Sequence, residues 1–201
     1  ATALDEALEA RTKLKELIGK TDALVNEIAE YTLVNKLELQ TEDNSAANYL
    51  STNACHNTLN NASDGQGLEG LLDESTETYF HSDYRGKVTD PHYLQVDLGE
   101  NNTVEQFKFN YTTRDNGNNC PLTIKVEGST DGSTFVELKT FTATNDGLPN
   151  GNALSWESPV IHNVIRNVGN YRHFRFTVTE AEGSNIYFVM STFGVSDVTP
   201  V

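Results

Sequence analysis

The sequence predicts a mainly β fold, an antiparallel β-sandwich preceded by an α-helical segment. After Gly99, short apolar runs alternate with polar residues, and turn pairs such as Asp131-Gly132 separate the runs, a pattern typical of antiparallel strands. Phe174, Phe176 and Val178 alternate with Arg175 and Thr177, so one face of this strand is expected in the core and the other in water. Residues 3–31 instead repeat apolar side chains at intervals of three, four and seven, which predicts an amphipathic helix.

The helix is expected to begin after Thr2, because Asp5 and Glu6 then lie in its first turn and complement the helix dipole. Its apolar positions form two adjacent stripes: Leu4, Leu8, Leu14, Ile18, Val25 and Ile28, with Leu17, Leu24 and Tyr31 beside them. Gly19 followed by Lys20-Thr21-Asp22 allows one long helix or a two-helix hairpin, and one long helix is favoured. Such a stripe serves as a coiled coil or partner surface, or as a spacer that packs on its own neighbour. With fewer than four clean heptads, the spacer is the expected role.

Composition divides the chain into three parts. Residues 1–35 form the helical leader, residues 36–50 form a polar connector, and residues 51–201 form the sandwich. Within the last part, residues 51–67 are rich in Asn, Ser and Gly and predict a loop beside a first strand. Later strands are predicted around these residues: Tyr93 to Leu98; Val104, Phe107, Phe109 and Tyr111; Leu122, Ile124 and Val126; Phe135, Val136 and Leu138; Phe174, Phe176 and Val178; Tyr187 to Val195.

The charge of the chain excludes several classes of partner. Its 29 acidic and 14 basic residues leave a net charge of −15, which repels nucleic acid and anionic membranes and leaves neutral ligands as candidates. No apolar run approaches the roughly 18 residues of a membrane span, and the amino end lacks the features of a signal peptide. Any export signal is expected to lie upstream or to have been removed.

The two cysteines, Cys55 and Cys120, have no zinc-site spacing. As a disulfide they would close a loop of about 65 residues, worth about 4 kcal/mol in the chain-entropy model, and would indicate an oxidising compartment. As thiols they would be buried or inert. The sequence leaves both alternatives open.

Two kinds of chemistry fit the carboxylates of the central region. A glycosidase-type pair would be drawn from Asp64, Asp73, Glu77 and Asp83, but these residues lie in turns, and no serine elbow, Cys-His signature or phosphate-binding loop accompanies them. No enzyme is therefore expected. Asp73, Ser75 and Thr78 instead place hard oxygen ligands within six residues, as a Ca²⁺ or Na⁺ site or an ordinary capped turn would.

The stretch from Gly70 to Gly99, GLLDESTETYFHSDYRGKVTDPHYLQVDLG, resembles the discoidin family. This family is the factor V/VIII type C domain and includes the bacterial family 32 carbohydrate-binding modules. GSTDGSTF at 128–135 and FVMSTFGV at 188–195 extend the resemblance, which covers about residues 50–198. It implies a jelly roll of about eight strands, with ligands bound by loops at one end.

The resemblance also implies an ion site. Its ligands would be the carbonyls of Gly70 and Ser191 and the side chains of Asp73, Ser75 and Thr78. Ser75 stands where Asp or Asn is usual, and Thr192 stands where a carboxylate is usual, so much of the charge needed for tight Ca²⁺ binding is missing. A weak structural Ca²⁺ or Na⁺ site, or a loop closed without metal, is expected.

The ligand-binding residues implied by the resemblance are His81, Tyr84 and Arg114. Asn118 or Asn119 would supplement them, and Asp64 would accept a hydrogen bond from a sugar hydroxyl. Structural alternatives stand beside each role, because His81 could pack under a loop, Tyr84 could be a rim hydrophobe, and Arg114 could only pair with Asp115. For Asp64 the structural alternative is favoured.

The function implied is that of a non-catalytic carbohydrate-binding module that binds galactose-type sugars weakly. The resemblance places it in a larger secreted, periplasmic or cell-surface bacterial protein that degrades glycans, linked to neighbouring domains and monomeric. The alternative is a protein-binding adhesion or scaffold domain without sugar affinity. The loops at 114–120 and 142–153 are polar, which argues against membrane insertion, and Trp156 is expected in the core.

Overall fold

The computed structural model describes residues 2–29, 32–43, 48–56, 67–100, 102–162 and 171–200. By its internal contacts the chain divides into two compact units. The first comprises Ala1–Val34 with Thr199–Val201, and the second comprises Asn35–Val198.

Helix α1 (Ala3–Ala29) is the main element of the first unit. Its amino end has the predicted cap, since the Asp5 carboxylate accepts hydrogen bonds of 2.9 Å from the Thr2 N–H and 2.7 Å from the Thr2 hydroxyl. The Thr2 N–H, and then the Thr2 hydroxyl, hold the pKa of Asp5 below its usual value. The helix runs through Gly19 without a break, so one long helix forms and not a hairpin. No helix in the described ranges is long and apolar enough to cross a membrane.

Thirteen strands form in the described part of the chain: β1 (Thr32–Lys36), β2 (Leu39–Gln40), β3 (Asn48–Thr52), β4 (Phe80–His81), β5 (His92–Asp97), β6 (Gln106–Thr112), β7 (Pro121–Ser129), β8 (Val136–Thr142), β9 (Ser155–Glu157), β10 (Ile161–His162), β11 (His173–Ala181), β12 (Val189–Met190) and β13 (Thr192–Pro200). In the same described ranges, three short helical turns lie between the strands: Leu68–Leu71, α2 (Ala143–Asp146) and Glu182–Ser184.

The strands form two large sheets and one strand pair. The five-stranded sheet has the order β1-β13-β6-β10, with β9 also beside β6, and the six-stranded sheet has the order β2-β3-β5-β11-β7-β8. Strands β5, β11, β7 and β8 of the six-stranded sheet pair antiparallel, as do β6 and β13 of the other sheet, whereas β2 pairs parallel with β3. This confirms the predicted mainly β sandwich. Residues 36–50, which the sequence assigns to a connector, contribute to strands of both sheets.

Phenylalanine rings from the two sheets meet in the core. Phe107 of β6 lies 4.2 Å from Phe174 of β11, between ring centroids, and Phe109 lies 4.9 Å from Phe176. All four rings are buried. The period-two alternation of β6 and β11 therefore faces inward as predicted. Trp156 is partly buried against this core, edge-on to Phe109.

Candidate functional site

A short strand pair at one end of the sandwich positions His81. Strand β4 pairs with β12, where His81 lies opposite Val189. The His81 carbonyl also accepts a 3.0 Å hydrogen bond from the His56 N–H. Because the His81 backbone is hydrogen-bonded on both sides, the position of its side chain is fixed next to residues that are distant in sequence.

Ser82 joins this strand pair to His92 through a chain of hydrogen bonds. The Ser82 hydroxyl accepts from the Phe188 N–H at 2.8 Å and lies 2.9 Å from Nδ1 of His92. Nε2 of His92 lies 3.3 Å from the Val88 carbonyl, which can only accept, so Nε2 carries the proton and Nδ1 accepts from Ser82. Burial lowers the pKa of His92, although the Val88 carbonyl opposes the shift. The ring is therefore a neutral structural link.

The loop that carries Tyr84 is organised by Asp83. Asp83 is buried, and its carboxylate accepts hydrogen bonds from the N–H groups of Arg85, Lys87 and Val88 at 2.7–3.1 Å. Burial raises the pKa of Asp83, but these N–H groups outweigh it and leave the pKa below its usual value. An ionised Asp83 thus caps the loop as a structural residue, which leaves Tyr84 with 46% of its surface exposed.

Four rings gather where these elements meet, and we call His56, His81, Tyr84 and Tyr187 the ring cluster. The rings of His56 and Tyr84 stack at 3.7 Å between centroids and 15° between planes. His81 lies 4.7 Å from Tyr84 and 5.8 Å from Tyr187. His56 and His81 are nearly inaccessible to solvent, at 4% and 6%. The cluster therefore offers Tyr84 as its exposed face above two buried imidazoles.

The His81 ring is neutral at pH 7. Burial lowers its pKa to about 4, the charges of His56 and Arg114 act in the same direction, and the Ser82 carbonyl and Asp83 oppose them. Nδ1 lies 2.7 Å from the Ser82 carbonyl and so donates to it. Nε2 is then a hydrogen-bond acceptor. The positive charge of Arg114 thus opposes protonation of His81, and Arg114 stacks on Tyr79, two residues before His81 in the chain.

Arg114 lies over the ring of Tyr79, with 3.7 Å from the guanidinium carbon to the ring centroid. Its Nε lies 3.4 Å from Asp115 Oδ1, which is an ion pair in distance but lacks the geometry of a hydrogen bond. The Asp115 side chain is 59% exposed, so the pair contributes little stability. Pairing with Asp115 thus leaves the donors of Arg114 largely unused, and they are available to a ligand.

A second loop holds the backbone of Arg114. The Arg114 carbonyl accepts hydrogen bonds of 2.9 Å from the N–H groups of Gly117 and Ala153. The adjacent Thr113 hydroxyl donates to the Gly151 carbonyl at 2.6 Å and accepts from the Leu154 N–H at 2.8 Å. The segment 151–154 therefore positions Arg114, although no local sequence pattern connects the two.

The remaining predicted ligand residues differ in their surroundings. Asn118 is exposed, and its N–H donates to Asn116 Oδ1 at 3.1 Å. Asn119 has a left-handed backbone with φ 57°. Its N–H donates to Glu182 and its carbonyl accepts from Val189, which lies opposite His81. Asn119 is thereby brought to the same end of the sandwich as the ring cluster. Asp64 lies outside the described residues.

The residues predicted for the ion site come together in a loop that hydrogen bonds to itself. Asp73 accepts from the Ser75 N–H at 2.9 Å and from the Thr78 hydroxyl at 2.5 Å. The Ser191 hydroxyl donates to the Thr76 carbonyl at 3.4 Å, and the backbone of Gly70 lies against that of Tyr79. The predicted donor set contains one carboxylate, and no three His, Cys, Asp or Glu side chains of the described residues converge on a metal position. Such a set fits a weakly held hard cation better than a tight Ca²⁺ site.

Cys120 is a buried thiol. It donates a hydrogen bond of 3.2 Å to the Gly117 carbonyl and forms no disulfide with Cys55. Burial raises the pKa of this thiol. Of the two alternatives left open by the sequence, the structure contains the thiol at Cys120, which is unreactive in this environment.

His56, Tyr79 and Tyr187 belong to the site but are not predicted by the sequence. His56 follows Cys55 in a polar stretch, and Tyr187 precedes the last strands. Neither position carries a local signal, since His56 joins the site through its backbone hydrogen bond to His81 and Tyr187 joins it through the pairing of β4 with β12. Tyr79 could have been suspected, because its side chain precedes the predicted His81 by two residues and β-strand side chains alternate.

Comparisons with known proteins agree with this architecture. The family model of the F5/8 type C domain matches residues 50–191. No curated protein sequence matches the chain. Among solved structures, the module CpGH89CBM32-5 of Clostridium perfringens, in complex with GalNAc-β-1,3-galactose, is 15% identical with a TM-score of 0.52, over 74% of this chain and 94% of that one.

Two further structures show the same likeness. The family 32 module of Clostridium perfringens NanJ, in complex with galactose, is 14% identical with a TM-score of 0.53, over 82% of this chain and 100% of that one. The C-terminal domain of a chitobiase from Bacteroides fragilis is 19% identical with a TM-score of 0.52, over 74% and 92%. At such identities the likeness concerns the fold.

Proposed function

Because the chain belongs to the F5/8 type C domain family, whose domains are non-catalytic modules, we propose that it binds a neutral or amino sugar of galactose type. The observation that carries this proposal is the ring cluster together with Arg114, which stacks on Tyr79 two residues before His81. A neutral imidazole, an exposed tyrosine face and a guanidinium with unused donors are complementary to one face and several hydroxyls of a sugar ring.

Each of the three central residues has a distinct role in this proposal. Tyr84 presents its outer ring face to the C–H groups of the sugar, while His56 supports the other face at 3.7 Å. Nε2 of His81 accepts a hydrogen bond from a hydroxyl, because Nδ1 is occupied by Ser82. Arg114 donates to one or two hydroxyl oxygens, and its stacking on Tyr79 fixes the plane of the donor fork.

The affinity is expected to be low. The site is a surface feature built from one exposed ring and a few polar groups, so a micromolar to millimolar dissociation constant is expected, equivalent to about 4–8 kcal/mol. The complexes of the two Clostridium perfringens modules with galactose and GalNAc-β-1,3-galactose support the choice of sugar to test first. Asn118, Asn119 and Asp64 remain predicted as supplementary contacts.

The proposal is tested by a glycan array followed by calorimetry on the wild type, Arg114→Ala and Tyr84→Ala. Each substitution is expected to weaken binding of a galactose-terminated glycan by about tenfold or more, since each removes a group in direct contact with the sugar. Arg175→Ala is the matched control. The Arg175 guanidinium carbon also lies over a tyrosine, 4.1 Å from the ring centroid of Tyr93, but its Nε and Nη2 donate hydrogen bonds to Gln95. Its affinity for sugar is expected to equal that of the wild type.

Two results would contradict the proposal in different ways. Sugar binding that survives both substitutions would retain the sugar-binding function and refute this site. Silence on the array, together with saturable binding to a protein, would favour the adhesion or scaffold alternative, for which exposed Leu154 and Ile186 offer apolar contacts. In either case the thermal unfolding of the variants must match that of the wild type for the comparison to hold.

The cellular setting belongs to the same proposal. A weak glycan-binding module is useful when it is linked to other domains and meets glycans outside the cytoplasm. We therefore place the chain in a larger secreted or cell-surface protein, with a glycoside hydrolase as the neighbour of first choice. Localisation of the parent protein by cell fractionation would test this.

The ion site is also proposed to be weak. Millimolar Ca²⁺ is expected to raise the melting temperature of the wild type by no more than about 2 °C, because one carboxylate supplies little charge. Asp73→Asn removes that carboxylate and should abolish the response. A fall of many degrees in the melting temperature on chelation would mean that the site is much stronger than proposed.

A further inference from the structure

Helix α1 presents an apolar stripe to solvent. Four of its side chains are more than half exposed: Leu4 by 69%, Leu8 by 54%, Leu14 by 58% and Ile18 by 52%. The sequence leads us to expect a spacer whose apolar side packs on its own neighbour, but these four side chains are exposed. A contiguous row of exposed leucines on a 27-residue helix marks an interaction surface.

The apolar residues of α1 follow a heptad repeat, although fewer than four heptads are clean. With heptads counted from Ala7 at position a, most apolar residues fall on three adjacent positions: a at Ala7, Leu14 and Ile28; d at Ala3, Ala10, Leu17 and Leu24; e at Leu4, Ile18 and Val25. Leu8 falls on b, next to the e positions, and the polar residues Thr21 and Arg11 occupy one a and one e position. A repeat of 3.5 residues keeps all of these on one face, whereas a repeat of 3.6 lets them drift around the helix. The face spans a, d and e, which is wider than the a/d seam of a two-stranded coil and suits three helices.

The flanking charges select both the partner and its direction. Glu6 occupies g and Arg11 occupies the following e position, so in a parallel pair of identical helices Glu6 of one copy faces Arg11 of the next. An antiparallel pair in full overlap would instead place Glu6 opposite Glu27 and Lys13 opposite Lys20. The helix is thus complementary to parallel copies of itself.

We propose that α1 joins three copies of this chain in a parallel coiled coil. The a, d and e positions then form the buried seam, with Leu8 at its edge, and each of the three interfaces carries a Glu6–Arg11 pair. Since the proposed sugar affinity is weak, three linked modules would bind a multivalent glycan surface far more tightly than one. That consequence rests on the proposed function, whereas the assembly itself does not.

The assembly is tested by sedimentation equilibrium of the full chain over a range of concentrations. The mass of the wild type is expected to approach three times that of one chain, 22.2 kDa, and the fraction of monomer should increase as the concentration falls. Leu14→Glu combined with Ile18→Glu would bury charge in the seam. This variant should therefore have the mass of one chain, 22.2 kDa, at all concentrations. Thr12→Glu combined with Gly19→Glu is the matched control. It adds the same charge at f positions, where a side chain on Gly19 meets no atom within 4 Å, and should associate as the wild type does.

Charge reversal tests the direction of the helices. Glu6→Arg places two arginines opposite each other in a parallel assembly and should weaken association by about tenfold, while adding Arg11→Glu should restore it. In an antiparallel assembly Glu6→Arg would strengthen association by facing Glu27. That result would overturn the parallel arrangement.

The proposal fails if the wild type remains at the mass of one chain up to its highest soluble concentration, because a different partner would then cover the stripe. It also fails if Leu14→Glu with Ile18→Glu still associates like the wild type. Near-ultraviolet circular dichroism of each variant reports whether the sandwich is folded. Sugar binding by the monomeric variant, measured by calorimetry, shows separately whether the proposed function holds.

Discussion

Two arginines with similar local surroundings have different capacities for binding. Arg175 is stacked between Tyr93 and Phe135, at 4.1 and 3.7 Å, and donates twice to Gln95. Arg114 is stacked on Tyr79, and its buried Nε has no hydrogen-bond partner. Leaving a buried donor unsatisfied is costly, so such a group is a natural place for a ligand atom. At the scale of single residues, unused donors distinguish Arg114 from Arg175.

The buried, neutral His81 makes stability depend on pH. Its pKa falls from 6.5 when unfolded to about 4 when folded, so between these values the unfolded chain holds a proton that the folded chain does not. Stability is therefore lost as pH falls from about 6.5 towards 4, and is unaffected above that window. Urea unfolding at pH 7 and pH 4.5 should show that the wild type loses about 2 kcal/mol more than His81→Gln.

Burial also lowers the pKa values of His92 and His173. These two residues contribute equally to the pH dependence of stability in the wild type and in His81→Gln. They therefore cancel in the comparison. Equal losses in the wild type and His81→Gln would mean that the His81 ring is protonated without cost and is not buried as described.

At the scale of elements, the binding loop that follows β6 depends on a second loop. Gly117 and Gly147 both have left-handed backbones, with φ of 68° and 70°. A Cβ at Gly117 would lie 2.5 Å from Asn152 Oδ1 and 2.8 Å from the Gly151 carbonyl carbon, whereas a Cβ at Gly147 would meet nothing within 4 Å. The two glycines therefore share their conformation and differ in packing.

Gly117→Ala is expected to cost more than the roughly 1 kcal/mol of a left-handed alanine, because it also pushes 151–152 away from Arg114. Gly147→Ala should cost only that amount. Urea unfolding measures both costs, and calorimetry should show weaker sugar binding for Gly117→Ala alone. Equal effects of the two substitutions on binding would mean that the second loop does not position Arg114.

At the scale of the molecule, the packing of β6 against β11 forms the centre of the hydrophobic core that holds the two sheets together. Phe176 is 2% exposed and packs against Phe109 and Phe193 of the opposite sheet. Phe176→Ala is therefore expected to lower the free energy of unfolding by about 3–5 kcal/mol. Phe135→Ala, a partly exposed ring under Arg175, should lower it by about 1 kcal/mol. Similar losses in urea unfolding would argue against a core centred on these strands.

The sequence alone determined the fold class, because period-two alternation places apolar side chains on one face of each strand wherever the partner strand lies. It determined the capped helix for a similar reason, since Thr2 and Asp5 interact within one turn. Tyr84, His81 and Arg114 could be predicted from motifs near them in the chain.

Only the tertiary structure decided what surrounds these residues. His56 and Tyr187 reach His81 through backbone hydrogen bonds and the β4–β12 pair, and residues 151–154 reach Arg114 through a loop contact. Within the predicted connector, Lys36, Leu39–Gln40 and residues 48–50 also become strands only because two sheets accept them. Short strands and loops have too few residues to show a period, and contacts between distant segments depend on closing long loops, whose cost and geometry no local pattern encodes.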